Sequence, residues 1–185
     1  AAMSGALPQG ACDCHCHVFG PAARFPYAEP RSYTPDDAPL DAYLALLDRL
    51  GFDRGVLVQP SAYGRDNRAM LDAIADHPDR YRGVAIVDAS VTDKDFEALH
   101  RGGVRAVRFN FVKHLGGAPD MDVFRRTVDR IKSLGWHLVL HIDAPDIIPL
   151  SDMIKALPLR FVIDHMGRVP AKDGVVLGAT SFAST

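Results

Sequence analysis

Three features of the sequence predict an α/β chain of the TIM-type (β/α)8 barrel class. Strand and helix signals alternate throughout, and polar residues collect at the carboxyl ends of the strands. No glycine-rich phosphate loop follows the first strand, where Val18, Phe19, Gly20 and Pro21 stand instead. With 185 residues, 48% hydrophobic and 24% charged, the chain can bury one substantial core and is too apolar for a disordered one. Residues 1–185 are therefore read as a single domain.

The strands are short runs rich in Val, Ile and Phe at residues 11–18, 55–59, 83–87, 106–111, 137–142 and 160–165. Amphipathic stretches at residues 40–50, 67–76, 93–102, 122–135 and 149–157 read as the helices between them, three ending at Gly51, Gly102 and Gly135. Strands joined through helices pair in parallel by right-handed crossovers, which leaves an open doubly wound sheet or a closed barrel. The polar strand ends and the missing phosphate loop favour the barrel. Eight βα units usually take roughly 200 residues or more. Six strands in this length predict only the first six units, an incomplete barrel lacking its last two strands. Residues 171–185, small and weakly polar, read as an irregular tail.

The formal net charge is −2 and the Lys and Arg residues are scattered, which is no footprint for nucleic acid or an anionic membrane. No apolar run nears the roughly 20 residues of a membrane span, and residues 1–10 lack the basic and apolar regions of a secretion signal. A small-molecule partner and a cytoplasmic location are the expectations. Cys12, Cys14 and Cys16 are odd in number and spaced too tightly for a disulfide framework.

The segment Asp13-Cys14-His15-Cys16-His17 carries the strongest chemical signal. Strict strand alternation places Asp13, His15 and His17 on one face and the three cysteines on the other, where they pack beneath the helices. Two imidazoles at the carboxyl end of the first strand are suited to binding a metal or polarising a carbonyl. His141 and His165 end two later strands and are expected at the same mouth. Gln59, Asp143 and Asp164 also fall near strand ends. The run Arg105-Ala-Val-Arg108-Phe-Asn110-Phe-Val-Lys113-His114 places Arg108 and Asn110 on one strand face with basic residues above. A guanidinium fork grips carboxylates, so Arg108 is either a substrate contact or the partner of a structural acid, while Arg105 faces the other way. Tyr33 and Ser61 offer hydroxyl contacts.

The run from Asp13 to Gly20, Phe25-Pro26-Tyr27, Arg31-Ser32-Tyr33-Thr34-Pro35, Asp66-Asn67-Arg68-Ala69-Met70, the stretch from Gly103 to Lys113, and Asp164-His165-Met166-Gly167-Arg168 resemble the 2-pyrone-4,6-dicarboxylate lactonases of the amidohydrolase superfamily. The likeness runs to about Pro170. It implies a β/α barrel that hydrolyses 2-pyrone-4,6-dicarboxylate, a cyclic ester with two carboxylates, to 4-oxalomesaconate in the breakdown of lignin-derived aromatics.

The resemblance further implies that His15, His17 and His165 polarise the lactone carbonyl and stabilise the oxyanion, that Arg108 holds a carboxylate, and that Tyr33, Ser61, Asn110 and His114 contact substrate. His114 stands where such lactonases place another cation, and His141 where they have Tyr. A histidine on strand five is a feature of metal-binding relatives, so two cofactor expectations stand: none is required, or a single divalent Zn or Mn is held by His15, His17 and His141. The resemblance also implies a general-base Asp on an eighth strand, which six strands do not supply. Asp143 and Asp164 read instead as hydrogen-bond acceptors for histidine. Two other readings of the chain are a sugar-acid lactone hydrolase or isomerase on the same scaffold, and a truncated, inactive chain that only binds anions.

Overall fold

Apolar strands alternate with amphipathic helices along the chain, as the sequence predicts. The computed structural model describes residues 7–169 and, within them, every side chain except that of His114. The expected tail at residues 171–185 lies outside the described residues. The chain divides into two compact units between Arg105 and Ala106.

The first unit runs through β1 (Cys12–Cys16), α1 (Leu40–Leu50), β2 (Arg54–Val58), α2 (Arg68–Asp76), β3 (Tyr81–Ala85) and α3 (Asp93–Arg101), and includes the opening of β4 (Val104–Asn110). β2 pairs in parallel with both β1 and β3. Helix α1 buries Tyr43 and Leu47 and is closed by Gly51, whose φ of 82° a residue with Cβ adopts only with strain. Helix α3 opens with a reciprocal capping box between Thr92 and Asp95. It ends at Gly102, and the left-handed turn falls one residue later, at Gly103 with φ of 91°.

The second unit holds the rest of β4, then α4 (Met121–Ser133), β5 (His137–His141), α5 (Ala144–Ile147), α6 (Ser151–Lys155) and β6 (Phe161–Ile163). β5 pairs in parallel with β4 on one side and β6 on the other. Leu138, Val139 and Leu140 are all buried, the continuous apolar run of a parallel strand covered on both faces. Phe124 of α4 meets Phe109 and Phe111 edge to face at centroid distances of 5.0 and 5.8 Å. Six strands joined through α-helices, with parallel ladders and chain order within each unit, are the repeat of a TIM-type β/α barrel. Among the described residues no helix is long and apolar enough to cross a membrane.

β1 departs from simple alternation. Cys12 pairs with Arg54 and Asp13 with Gly55, but the next pair is Cys16 with Leu57. Three steps on β1 thus oppose two on β2, a bulge of one residue. Asp13 therefore lies on the face toward α1, where its Oδ2 accepts the Tyr43 hydroxyl at 2.8 Å, and does not share the face of His15 and His17. Cys16 lies on that α1 face too, beside Asp13 and Tyr43. Cys14 is exposed, so it is not packed beneath a helix.

Candidate functional site

The histidines of β1 follow from the bulge. The rings of His15 and His17 stand 5.1 Å apart, edge to face. His17 Nδ1 lies 2.7 Å from the Val58 carbonyl of β2. A carbonyl only accepts, so this nitrogen carries the proton and donates it, leaving Nε2 of a neutral ring as the ligand or acceptor atom. His17 is also 5.9 Å from Phe19, and an aromatic series continues through Phe19–Tyr63 and Tyr27–Tyr63 contacts at 6.2 and 4.8 Å. The Tyr63 hydroxyl accepts the Gly20 N–H at 2.7 Å. Phe19 and Ala38 exchange two backbone hydrogen bonds of 2.9 Å, which close the loop between them. Tyr33 is exposed on this loop, and Ser61 is exposed at the start of a short 3-10 turn, Ser61–Tyr63. Gln59 is fully buried, and its amide donates to the carbonyls of Gly64 and Asp66 at 3.1 and 2.9 Å, so it shapes the turn after β2.

On the opposite face, burial pushes the Cys16 thiol up to about 11, with the Asp13 carboxylate adding to the effect. That thiol stays protonated at neutral pH and is a poor nucleophile or ligand. A cavity of about 550 Å³ between α2 and α3 is lined by Arg65, Arg68, Leu71, Asp88 and Ala98 among others, and no candidate site residue lines it.

In the second unit the strand ends carry buried charge. Arg108 of β4 and Asp164, directly after β6, pair through Nε and Oδ2 at 2.7 Å, with side chains only 9% and 5% exposed. Arg108 thus has the structural acid that was one of its two sequence readings. His141 at the end of β5 is buried and its ring centroid lies 5.3 Å from that of His165. Burial, and then the neighbouring Arg108 charge, push His141 down to about 4, so it is neutral at pH 7. Its Nε2 is buried and has no hydrogen-bond partner among the described residues. A neutral imidazole with an orphaned nitrogen fits a metal ligand or an acceptor of a substrate proton.

His165 is exposed and sits in an unusual backbone. His165, Met166, Gly167 and Arg168 all have positive φ, at 51°, 52°, 70° and 51°. For the three residues with side chains this left-handed conformation costs roughly 1–2 kcal/mol each, the kind of strain that is concentrated at functional sites. Arg168 Nε donates to Asp143 at 2.7 Å, tying the strained turn to the segment after β5.

Asn110 is committed to its own turn. Its amide donates to Leu115 at 2.8 Å while its Oδ1 accepts the Val112 N–H. Lys113 is exposed and pairs with Asp146 at 3.2 Å. The backbone of His114 belongs to the short turn Lys113–Leu115, and its side chain lies outside the described set. Arg105 donates to the His100 and Val104 carbonyls, away from these groups, as expected.

The structure therefore brings His15 together with His17 in one unit, and Arg108 with Asp164 and His141 with His165 in the other. Sequence reasoning missed Tyr43 and Tyr63, whose roles depend on contacts across 30 and 43 positions. Their signal was an aromatic residue with a polar tip on an otherwise apolar face.

The family model for amidohydrolases matches residues 12–183. The 2-pyrone-4,6-dicarboxylate hydrolase of Comamonas testosteroni is 48% identical over 169 residues, 91% of this chain and 55% of that one. The 4-sulfomuconolactone hydrolase of Rhizobium radiobacter is 44% identical over 95% of this chain and 59% of its own. Among solved structures, a probable 2-pyrone-4,6-dicarboxylic acid hydrolase of Acinetobacter baumannii with citric acid bound matches at a TM-score of 0.78 and 33% identity. That match covers 86% of this chain and 60% of the other. The chain spans under two thirds of the length of each of these relatives.

Proposed function

We propose, from the premise that the chain belongs to the amidohydrolase family, that it serves the hydrolysis of a carboxylated lactone, 2-pyrone-4,6-dicarboxylate above others. The observation that carries this reading is the 48% identity with a hydrolase of that lactone over 169 residues, 91% of this chain. The Rhizobium relative is another lactone hydrolase, which supports the same reaction class.

In this reading water adds to the lactone carbonyl, the ring C–O bond breaks, and the alkoxy oxygen leaves as an enol that becomes a ketone. One water is consumed and one new carboxylic acid, which ionises, is formed. His15, His17 and His165 are assigned to the oxyanion, where preorganised donors are worth roughly 100- to 1,000-fold in rate. At His17 the Val58 carbonyl accepts the Nδ1 proton, so an oxyanion contact there would need a second proton at Nε2. Arg108 is assigned to a substrate carboxylate. Asp164 holds its Nε, which fixes the plane of the guanidinium and so the direction of its other donors. Tyr33, Ser61, Asn110 and His114 are assigned to substrate contacts. Tyr33 and Ser61 are exposed, whereas the Asn110 amide acts through the turn that carries Lys113 and His114.

The cofactor assignment keeps two forms. His17, whose Nδ1–H donates to the Val58 carbonyl, and neutral His141 with an orphaned Nε2 would offer Nε2 to a metal, so His15, His17 and His141 are the ligands proposed for a single divalent Zn or Mn. Such an ion, when bound, supplies Lewis-acid polarisation of the carbonyl. In the metal-free form the histidines alone supply the electrophile.

The test is hydrolysis of 2-pyrone-4,6-dicarboxylate beside a sugar-acid lactone with one carboxylate, each with and without chelator. The expected outcome is turnover of the dicarboxylate that falls in Lys113→Glu, while the monocarboxylate is a poor substrate. Preference for the sugar-acid lactone overturns the assignment. Loss of activity on chelation selects the metal form.

A further inference from the structure

The geometry points to Asp13 and Tyr43 as positioning residues: from the face opposite the histidines, they hold the β1 bulge that turns His15 and His17 to their working side. The ladder supplies the reason. Asp13 pairs with Gly55, and the position a Gly55 Cβ would take lies 2.7 Å from the Tyr43 hydroxyl. Residue 55 and its partner therefore face α1. Two residues on, Leu57 faces the same way, and so does its partner Cys16. Between the two pairs β1 carries one residue more than β2. Without that extra residue, alternation from Asp13 would turn His15 and His17 toward α1 as well. With it, both rings stand on the other face, where His17 reaches the Val58 carbonyl.

A bulge leaves a backbone N–H out of the ladder, and the Asp13 carboxylate takes one up. Its Oδ1 accepts the His15 N–H at 3.3 Å, while Oδ2 accepts the Tyr43 hydroxyl at 2.8 Å. Tyr43 is itself fixed, being 6% exposed and packed 6.0 Å from the Tyr81 ring. Gly55 fits because any side chain there would displace the Tyr43 hydroxyl. One carboxylate thus links helix α1 to the peptide N–H of a proposed catalytic histidine.

The consequence for turnover rests on the lactone reading, whereas the consequence for histidine geometry does not. The experiment therefore reads both, in Asp13→Leu, Asp13→Asn and Tyr43→Phe. Imidazole ¹⁵N spectra report the tautomer of His17, and steady-state kinetics on 2-pyrone-4,6-dicarboxylate report kcat and KM. Asp13→Leu, similar in size but without an acceptor, is expected to lose the Nδ1-protonated signature of His17. It should lower kcat on the order of tenfold or more with little change in KM, as small displacements of catalytic groups do. Asp13→Asn keeps an acceptor for the His15 N–H and is expected to restore both readouts, with Tyr43→Phe in between. Should Asp13→Leu fail to fold, the graded order of wild type, Asp13→Asn and Tyr43→Phe in the spectra decides. An unchanged His17 signature in Tyr43→Phe and in every Asp13 variant that folds overturns the inference. If the wild type does not turn over this lactone, the function assignment fails while the spectra still test the bulge.

Discussion

The ends of β1 and β6 both present histidines, and they do so by opposite means. At β1 the backbone is repaired: one extra residue is absorbed as a bulge, its N–H is accepted by Asp13, and His17 is oriented by a neighbouring carbonyl. At β6 the backbone is strained, with three non-glycine residues at positive φ, and the turn is held by the ion pairs Arg108–Asp164 and Arg168–Asp143. The first device relies on a ladder and hydrogen bonds, the second on charge. Geometry held by buried charge is sensitive to pH and to the loss of either partner, because the survivor is left uncompensated. Geometry held by a ladder tolerates more.

The sharpest way to break this contrast is Asp164→Ala, which takes the 2.7 Å carboxylate partner away from the buried Arg108 guanidinium. A loss of about 3–5 kcal/mol is expected, read as a lower urea midpoint at unchanged slope. A loss below about 1 kcal/mol would mean that water screens the pair.

Next comes the pH dependence of the second unit. His141 titrates at about 4 when folded, against about 6.5 for an unperturbed imidazole. Between these values the unfolded chain takes up a proton that the folded one refuses. Stability therefore falls as pH drops through this window, by up to about 3 kcal/mol, and levels off below it. Urea unfolding from pH 7.5 to pH 4 should show the slope, and His141→Gln should flatten it.

The strain at β6 has its own expected signature. Met166 is 89% exposed, so Met166→Gly removes almost no packing and relieves a left-handed side chain. Thermal unfolding should rise by the equivalent of up to about 1 kcal/mol, the strain relieved less the added entropy of glycine. The smallest effect belongs to Lys113→Ala, whose ion pair with Asp146 is exposed on the lysine side. Less than about 1 kcal/mol should be lost, and salt should erase the difference.

The same contrast separates what was legible in the sequence from what was not. Helix α1 runs from Leu40 to Leu50 as its periodicity and Gly51 predict, and β5 is found at His137–His141 within the apolar run expected there. These are local patterns of side-chain period and capping. Helix α5 was missed because Asp143, Pro145 and Asp146 look like a turn, although Pro is well suited to the first turn of a helix. The faces of β1 were misread for Asp13, and Cys14 is exposed where packing was expected, since a bulge is a property of the pairing with β2 and leaves no mark in strand alternation. Arg108 posed a similar difficulty: its run of sequence shows an arginine aimed at a strand end, but its acid lies 56 positions later, in a turn after another strand. Histidines at strand ends could be found one strand at a time. Their supports, Tyr43, Asp13 and Asp164, are products of tertiary contact.

The claim that unites these regions is that their histidines serve one lactone-opening reaction, and ultraviolet absorbance tests it directly because pyrone ring opening changes conjugation. Purified wild type, His15→Ala and His165→Ala would be followed on 2-pyrone-4,6-dicarboxylate. The account predicts ring opening by the wild type and a fall of about 100-fold or more in kcat for each variant. No ring opening by a folded wild-type chain, or equal rates in all three, would contradict it.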